Sequence, residues 1–273
     1  MGRSFSMDQN WLFGGKLRDL GALQPAFNDA AFSQVTLPHC VAKLSWQNWN
    51  PSDWEDVWVY RRHFDAPGEA LRQRFFLRFE SVMVGAAPVV NGHALPHHLG
   101  GYLPFQYEVT DLLRKSDNVL ALAVDSRWSN APPEGSPRGP HSIDYLEPGG
   151  ILRPVRLLTL PQIFIADVFA KPVNVLDRDR RVEVTCSISA GARPEKAIEI
   201  EAALVQDGKV FSQTARTLRV EKTGETDVVL TLTRLGNVAL WTVDRPRLYE
   251  VVVTLSAKGQ PLDRHRTRIG FRD

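Results

Sequence analysis

The sequence predicts an all-β protein whose second half is built on the scale of an immunoglobulin-like β-sandwich. Alternating apolar and polar residues recur along the chain, and dipeptides typical of tight turns separate many of these segments. Patterns of long amphipathic helices are missing. The 273 residues suffice for one large all-β domain or two ordinary ones, and a hydrophobic content of 43 % is enough for a buried core.

In the first half, two segments have the pattern of buried strands. Residues 71–81, LRQRFFLRFES, place phenylalanine and leucine on one face and arginine and glutamate on the other. Residues 118–125, NVLALAVD, form an apolar run bounded by polar residues, as in a strand that is covered on both faces. The best helical candidate is the single turn 111–115, for which Thr110 is the predicted N-cap.

From about residue 160 onwards, the predicted strands become short and regular, over about 110 residues in all, which is the scale of an immunoglobulin-like domain. Residues 181–189 alternate cleanly between apolar and polar positions. We place the domain boundary at Leu160–Pro161, which gives domains of residues 1–160 and 161–273. Two hairpins are predicted: 198–206 with 209–213 around Asp207-Gly208, and 249–255 with 264–271 around Lys258-Gly259.

Charge and hydropathy argue against several classes of partner. The formal net charge is only +2, so neither nucleic acid nor an anionic membrane is expected as a partner. No apolar run approaches the roughly 20 residues of a membrane span. The N-terminal residues lack the apolar core of a signal peptide. The compartment stays open: cytoplasmic, or periplasmic or secreted where a signal peptide has been removed. Cys40 and Cys186 lie in different halves of the chain, so we expect neither a disulfide framework nor a structural zinc site.

Three of the seven histidines lie close together, at His93, His97 and His98. The adjacent pair would point to opposite sides of an extended chain, which suits a single metal ion poorly. The preceding Asn91-Gly92 is a strong signal for a hairpin turn. We therefore expect structural or hydrogen-bonding roles for these histidines, with no metal site and no cofactor.

Tryptophan residues are candidate ligands for sugar rings, since their flat apolar faces suit the C–H faces of a sugar. Trp58 lies in the strand pattern VWVYRRHF and is predicted to fill the core. Trp49 lies in a loop between Asn48 and Asn50, and for it a ligand contact and a packing role are equally open.

Acidic residues are the usual catalysts of glycoside hydrolysis, which needs two carboxyl groups that face one sugar. Asp144 and Glu147 share the loop HSIDYLEPGG. Their spacing does not make them a catalytic pair, because acidic residues in loops are usually solvated. No catalytic residue is assigned from the pattern.

A series of stretches, taken in order, resembles the N-terminal part of the family 2 glycoside hydrolases, which include β-galactosidases, β-glucuronidases and β-mannosidases. The resemblance covers almost all of the chain. The stretches are LPHC at Leu37, YRRHFDAP at Tyr60, FESV at Phe79, VNGHALPHHLGGYLPF at Val90, NVLALAVDSR at Asn118, GGILRPVRL at Gly149, WTVDRPRLYEVVVTL at Trp241 and RIGFR at Arg268.

The resemblance implies a galactose-binding-like jelly-roll domain that binds sugar, at residues 1–160, and an immunoglobulin-like sandwich at residues 161–273. In the family, a catalytic TIM barrel follows the RIGFR segment. The acid/base glutamate of that barrel typically follows an asparagine, and no Asn-Glu dipeptide occurs here. The implied role is therefore a non-catalytic carbohydrate-binding and scaffold region whose partners are carbohydrate and the TIM barrel of the parent chain.

The resemblance also implies substrate-binding residues. In the family, an aspartate five residues before the Gly-Gly of this motif reaches from the jelly roll into the active site, and here that residue is Asp144. Asn48 and Asn50 are the candidates for a loop asparagine with a similar part, and Trp49 lies between them. Two alternatives stay open: a stand-alone lectin-like module, and an interaction module that forms a homo-oligomer.

Overall fold

A computed structural model describes residues 2–43, 45, 47, 50–68, 73–127, 149–191, 197–220 and 222–272. The regular structure in these residues is almost entirely antiparallel β-sheet, which confirms the predicted fold class of two β-sandwiches. The chain divides into two compact units, Arg3–Thr159 and Leu160–Asp273 with Met1–Gly2. No helix in the described part of the chain is long and apolar enough to span a membrane.

The first unit contains fourteen strands and three short 3₁₀ turns in its described residues. The strands are β1 (Arg3–Ser6), β2 (Trp11–Lys16), β3 (Ser33–Val35), β4 (His39–Cys40), β5 (Val57–Phe64), β6 (Gln73–Phe79), β7 (Val82–Met83), β8 (Gly85–Val90), β9 (His93–Ala94), β10 (His98–Leu99), β11 (Phe105–Glu108), β12 (Asn118–Asp125), β13 (Gly150–Ile151) and β14 (Val155–Pro161). The 3₁₀ turns are Leu20–Leu23, Pro51–Asp53 and Thr110–Leu112.

Two facing sheets of this unit form the jelly-roll sandwich. One sheet has the strand order β1-β14-β6-β11, and the other has the order β10-β8-β12-β5-β2-β3, with β9 paired to β8. Both sheets contribute to one apolar core, as Phe75 and Phe79 of β6 and Leu120 and Leu122 of β12 show. The two predicted buried strands are therefore confirmed, and Trp58 is buried as predicted.

The turn Asn91-Gly92 joins β8 to β9 as predicted, and both residues have the positive φ angles that such a turn requires, 50° and 88°. The side chain of Asn91 is buried and also makes hydrogen bonds to β12. Its Nδ2 donates to Oδ1 of Asn118 at 2.9 Å, and its Oδ1 accepts from the backbone N–H of Val119 at 2.8 Å. Two buried amides therefore hold the end of β8 against the start of β12.

The helical expectation around Thr110 is wrong in detail. The structure has a 3₁₀ turn at Thr110–Leu112, and the residue in the N-cap position is Val109, whose side chain makes no capping bond. The hydroxyl of Thr110 instead accepts from the backbone N–H of Phe75 at 3.0 Å and donates to Glu108 at 2.9 Å. Phe75, which is 35 residues away in the sequence, therefore bonds to the hydroxyl that the local pattern predicted as a helix cap.

The second unit is an immunoglobulin-like sandwich of two sheets, ordered β15-β16-β19 and β18-β17-β20-β21, that enclose their own core. Both predicted hairpins are present. Their turn residues, Asp207-Gly208 and Lys258-Gly259, all have positive φ angles. The strands are β15 (Ile163–Val173), β16 (Arg181–Ala190), β17 (Ile198–Gln206), β18 (Lys209–Leu218), β19 (Gly224–Leu232), β20 (Tyr249–Ala257) and β21 (Gln260–Ile269).

Candidate functional site

The candidate site residues belong to two connecting segments, 41–56 and 126–149, for which the sequence predicts loops. Asp144, Asn48 and Trp49 lie outside the residues that the structure describes, so their roles stay predictions. Asn50 is described and exposed. Its Oδ1 accepts from the backbone N–H of Ser52 at 3.2 Å, at the start of the 3₁₀ turn that follows. This side chain therefore helps to shape its own loop.

The ends of these two loops are bonded to each other. The first loop leaves the sandwich at Val41 and returns at β5, and the second leaves after β12 and returns at Gly149. The backbone N–H of Val41 donates to the carbonyl of Gly149 at 3.0 Å. At the other ends, the N–H of Ser126 donates to the carbonyl of Asp56 at 3.0 Å. The described ends of both loops therefore meet in one small region of the first unit.

Ser126 is a buried residue whose side chain contacts both of these chain segments. It is 1 % exposed, and its hydroxyl contacts the carbonyl oxygens of Trp54 and Asp56 and accepts from the indole Nε1 of Trp58 at 2.8 Å. A Cβ atom on Gly149 would collide with the Ser126 side chain, so only glycine fits at that point. The serine thereby fixes where both loops begin.

A small three-stranded sheet, β4-β13-β7, lies directly beside the loop ends. In it, Gly150 pairs with Cys40 on one side and with Met83 on the other. Gly150 has φ +134°, and a Cβ there would run into the carbonyl oxygen of His39. The second glycine of the Gly-Gly pair is thus required by backbone conformation and by close packing.

The imidazole of His39, in strand β4 of this sheet, packs against aromatic neighbours. Nδ1 of His39 lies 2.8 Å from the hydroxyl of Tyr60, and the His39 ring packs against Phe13 at a centroid distance of 4.9 Å. Burial lowers the pKa of His39 and raises the pKa of Tyr60, so both groups are neutral near pH 7. They form a packed, hydrogen-bonded and uncharged pair, so neither side chain would stabilise a charge in a reaction by an opposite charge of its own.

Charged side chains near the loop ends are paired. Arg18 donates two hydrogen bonds to Asp56, at 3.0 and 2.6 Å, and the Lys16 ammonium lies 3.3 Å from the same carboxylate. The hydrogen bond from Arg18 is the main reason why the pKa of Asp56 falls to about 2. Asp125 is likewise bound by Arg127, at 2.9 and 2.6 Å. The Asp56 carboxylate therefore stays ionised at neutral pH and is not suited to act as a general acid.

The histidine-rich segment has a packing role. The ring of His98 stacks on Phe105 at a centroid distance of 3.8 Å, and its Nε2 lies 3.1 Å from the carbonyl of Gly100. Phe105 in turn stacks on Phe79 of the core at 4.9 Å. Among the described residues, no group of three or more histidine, cysteine or acidic side chains is arranged to hold a metal ion. The absence of a metal in the protein itself stays a prediction.

Sequence reasoning missed Ser126 and the Arg18–Asp56 pair. The contacts of these residues join positions that are 38 to 72 apart in the sequence, and no local pattern marks them. The Gly-Gly pair and the family-like stretches LPHC and NVLALAVDSR are the signals in the sequence that point to this region.

Two family models match the chain, one in each unit. Residues 43–154 match the glycosyl hydrolase 2 galactose-binding domain-like model, and residues 163–272 match the model of glycosyl hydrolases family 2. The chain therefore belongs to glycosyl hydrolase family 2 and carries the galactose-binding-like and immunoglobulin-like domains of that family.

Curated relatives agree with this assignment. The chain is 29 % identical over 249 residues to a β-galactosidase of Thermoanaerobacter pseudethanolicus, an alignment that covers 90 % of this chain and 32 % of the relative. It is 25 % identical over 268 residues to a putative β-glucuronidase of Formosa agariphila, covering 98 % of this chain and 31 % of the relative. The chain thus spans about a third of the length of these two relatives.

Solved structures show the same fold. A β-glucuronidase of Bacteroides uniformis superposes with a TM-score of 0.82 at 21 % identity, covering 99 % of this chain and 32 % of that one. A putative β-galactosidase of Bacteroides fragilis superposes with a TM-score of 0.78 at 24 % identity, covering 98 % of this chain and 41 % of that one. At these identities the likeness supports the fold and no more.

Proposed function

We propose that this chain is the non-catalytic carbohydrate-binding and scaffold region of a family 2 glycoside hydrolase, which hydrolyses β-linked O-glycosides when the region is joined to its catalytic TIM barrel. The observation that carries the proposal is the match of two successive family models to a chain that spans about a third of its relatives. Residues 1–160 would be the sugar-binding domain, and residues 161–273 the immunoglobulin-like domain.

The geometry of the first unit supports a positioning role. Both loops that carry the candidate residues start from one bonded region around Ser126 and Gly149. A rigid base of this kind suits a domain that presents loop side chains to a neighbouring active site. In this proposal, Asp144 accepts hydrogen bonds from sugar hydroxyls, and Asn48 or Asn50 and Trp49 contact the same sugar.

The sugar is β-linked, and both neutral and acidic sugars fit the proposal. The relatives named above are a β-galactosidase and a putative β-glucuronidase. The first name denotes a neutral sugar, and the second denotes a sugar with a carboxylate.

An interaction module is the second candidate function, because the outer face of the β15-β16-β19 sheet exposes apolar side chains. Phe169 and Val229 are 62 % and 55 % exposed and lie in one cross-strand row on either side of Thr185. The length of the parent reading frame separates the two candidates. A frame that runs several hundred codons past Asp273 supports the scaffold of a hydrolase, whereas a stop codon at that point supports an interaction or lectin-like module.

The proposed function is tested by Asp144→Asn, made both in this chain and in the complete protein. A carboxylate that accepts two hydrogen bonds in a water-poor pocket contributes roughly 1.5–3 kcal/mol per bond. We expect kcat/KM of the complete enzyme to fall by about ten- to several-hundred-fold. We expect the unfolding free energy of this chain to change by no more than about 0.5 kcal/mol.

Glu147→Gln provides the matched control, since it removes one negative charge from the same loop. We expect it to leave kcat/KM within about twofold of wild type. Full activity of the Asp144→Asn enzyme would remove this residue from the site. A large loss of stability in the isolated chain would make the aspartate a structural residue.

A further inference from the structure

A file of arginines runs along one face of β21, the edge strand of the immunoglobulin-like unit, and continues just beyond it. Of the residues that alternate with them, His265 and Thr267 are half-buried, and Ile269 and Phe271 are buried at 8 % and 0 % exposure, so the arginines face outwards. Alternate residues of a strand are about 6.6 Å apart, which spaces the charges regularly. We call this set the arginine file; its members are Arg264, Arg266, Arg268 and Arg272, all exposed.

An aromatic ring fills the one gap in the file. Position 270 is glycine, and a Cβ there would lie only 3.1–3.2 Å from atoms of the Trp241 side chain. The backbone N–H of Trp241 donates to the carbonyl of Phe271 at 2.8 Å, which holds the tryptophan in place. The guanidinium carbon of Arg272 lies 5.0 Å from the centre of the Trp241 ring. The half-buried indole of Trp241 therefore lies beside position 270 and within cation–π distance of Arg272.

The carboxylates on this face of the sheet are Glu250 on the neighbouring strand β20 and, one strand further away, Glu199 and Glu201 on β17. Arg266 lies 3.5 Å from Glu250 on the neighbouring strand, but both side chains are about half exposed, at 56 % and 43 %. An ion pair of such long, exposed side chains is weak. Within the described part of the chain, Arg264 and Arg268 make no ion pair or side-chain hydrogen bond. Among the described residues of β20, the strand next to the file, Glu250 is the one carboxylate on this face.

We propose that the arginine file binds an acidic polysaccharide, a linear chain that carries carboxylate or sulfate groups. This inference rests on the proposed function and narrows its carbohydrate to the acidic class. Guanidinium groups form two parallel hydrogen bonds with such anions. Trp241 offers a flat apolar face for a sugar ring. A straight file along an edge strand matches an extended polymer better than a single small ligand.

A nucleic acid is the competing polyanion, and two features disfavour it. The net charge of the whole chain is only +2, so there is little long-range attraction for a phosphate backbone. Among the described residues, the contacts place one aromatic ring, that of Trp241, against the file, whereas single-stranded nucleic acids bind to a succession of stacking platforms.

The test measures binding of this whole chain to polygalacturonate, with neutral β-1,4-galactan as the parallel ligand. The double variant Arg264→Gln/Arg268→Gln removes the two members of the file for which the described residues provide neither an ion pair nor a cation–π contact. Arg216→Gln/Arg219→Gln is the matched control, since it removes two exposed charges at or just beyond β18, the opposite edge strand of the same sheet. Thermal unfolding of each variant verifies that the fold is kept.

We expect wild type to bind polygalacturonate more tightly than galactan, and to lose affinity as salt rises. The double variant should bind polygalacturonate at least about tenfold more weakly, the equivalent of 1.4 kcal/mol, and the control within about twofold of wild type. The inference would be overturned if the double variant and the control lost affinity for polygalacturonate equally, or if wild type did not bind polygalacturonate. So would tighter binding of single-stranded DNA than of polygalacturonate at the same salt. β-Glycosidase activity of the complete protein is scored separately, so the proposed function can stand where this inference fails.

Discussion

Replacing Ser126 with alanine removes the group that joins the ends of both candidate loops. The hydroxyl accepts from Trp58 Nε1 at 2.8 Å and donates to one of the carbonyl oxygens of Trp54 and Asp56. Each partner keeps another hydrogen bond. Trp58 Nε1 still donates to the Trp54 carbonyl at 2.9 Å, and the Asp56 carbonyl still accepts from the backbone N–H of residue 126 at 3.0 Å. No partner is left wholly unsatisfied, which limits the cost.

The loss therefore amounts to about two ordinary hydrogen bonds with no added penalty for orphaned groups. At about 0.5–1.5 kcal/mol per bond, we expect Ser126→Ala to lower the unfolding free energy by about 1–2 kcal/mol. For a unit of this size, the shift in Tm is about 2–4 °C per kcal/mol, so the first unit should unfold about 2–8 °C earlier.

Urea unfolding followed by tryptophan fluorescence reports this change, because six of the seven tryptophans precede residue 129 and so belong to the first unit. Ser116→Ala is the control: its hydroxyl is exposed and bonds only to the neighbouring Asp117, at 3.3 Å. The control should stay within about 0.5 kcal/mol of wild type. Equal midpoints for the two variants would refute the assigned role of Ser126.

Two further predictions concern pH and metal. Arg18 lowers the pKa of Asp56 to about 2, below the value of about 3.9 for an unfolded chain. The ionised carboxylate therefore stabilises the fold above about pH 4, and this contribution is lost as pH falls through about 2. The urea midpoints of wild type and Asp56→Asn should differ at pH 7 and converge by about pH 2; a constant difference contradicts the assignment. For the histidine segment, elemental analysis should find no stoichiometric zinc, and EDTA should leave Tm unchanged; bound zinc with a large drop in Tm on chelation contradicts the packing role of His98.

Local patterns in the sequence predicted most of the fold, because strands and hairpins are encoded over a few residues. The alternation in residues 73–79 and the apolar run of residues 118–125 each specify a strand by themselves. Turn pairs such as Asp207-Gly208 specify hairpins through the positive φ angles that they tolerate. The jelly-roll arrangement of the first unit came from the resemblance to a family, since alternation alone does not determine the order of strands in a sheet.

The contacts that hold the candidate site could not be predicted, because they join distant parts of the chain. The carbonyl partners of Ser126 lie 70 and 72 residues away in the sequence. Arg61 is a similar case: its fully buried guanidinium donates to the carbonyl of Ala22 at 2.6 Å and to Asp29 at 2.6 Å, although its strand pattern gave no sign of this. For Thr110, the local pattern predicted a helix cap that does not form. The hydroxyl of Thr110 instead accepts a hydrogen bond from the distant backbone N–H of Phe75.

The central claim is that these two domains support catalysis without performing it. The direct measurement compares this chain with the complete protein on nitrophenyl β-glycosides of galactose, glucuronic acid, mannose and glucose. Retaining hydrolysis needs a nucleophile and an acid/base about 5 Å apart, and the proposal places both in the TIM barrel. We predict turnover of at least one of these glycosides by the complete protein and none above buffer by this chain. Turnover by the chain alone that survives repurification and disappears on substitution of a single carboxylate would contradict the account.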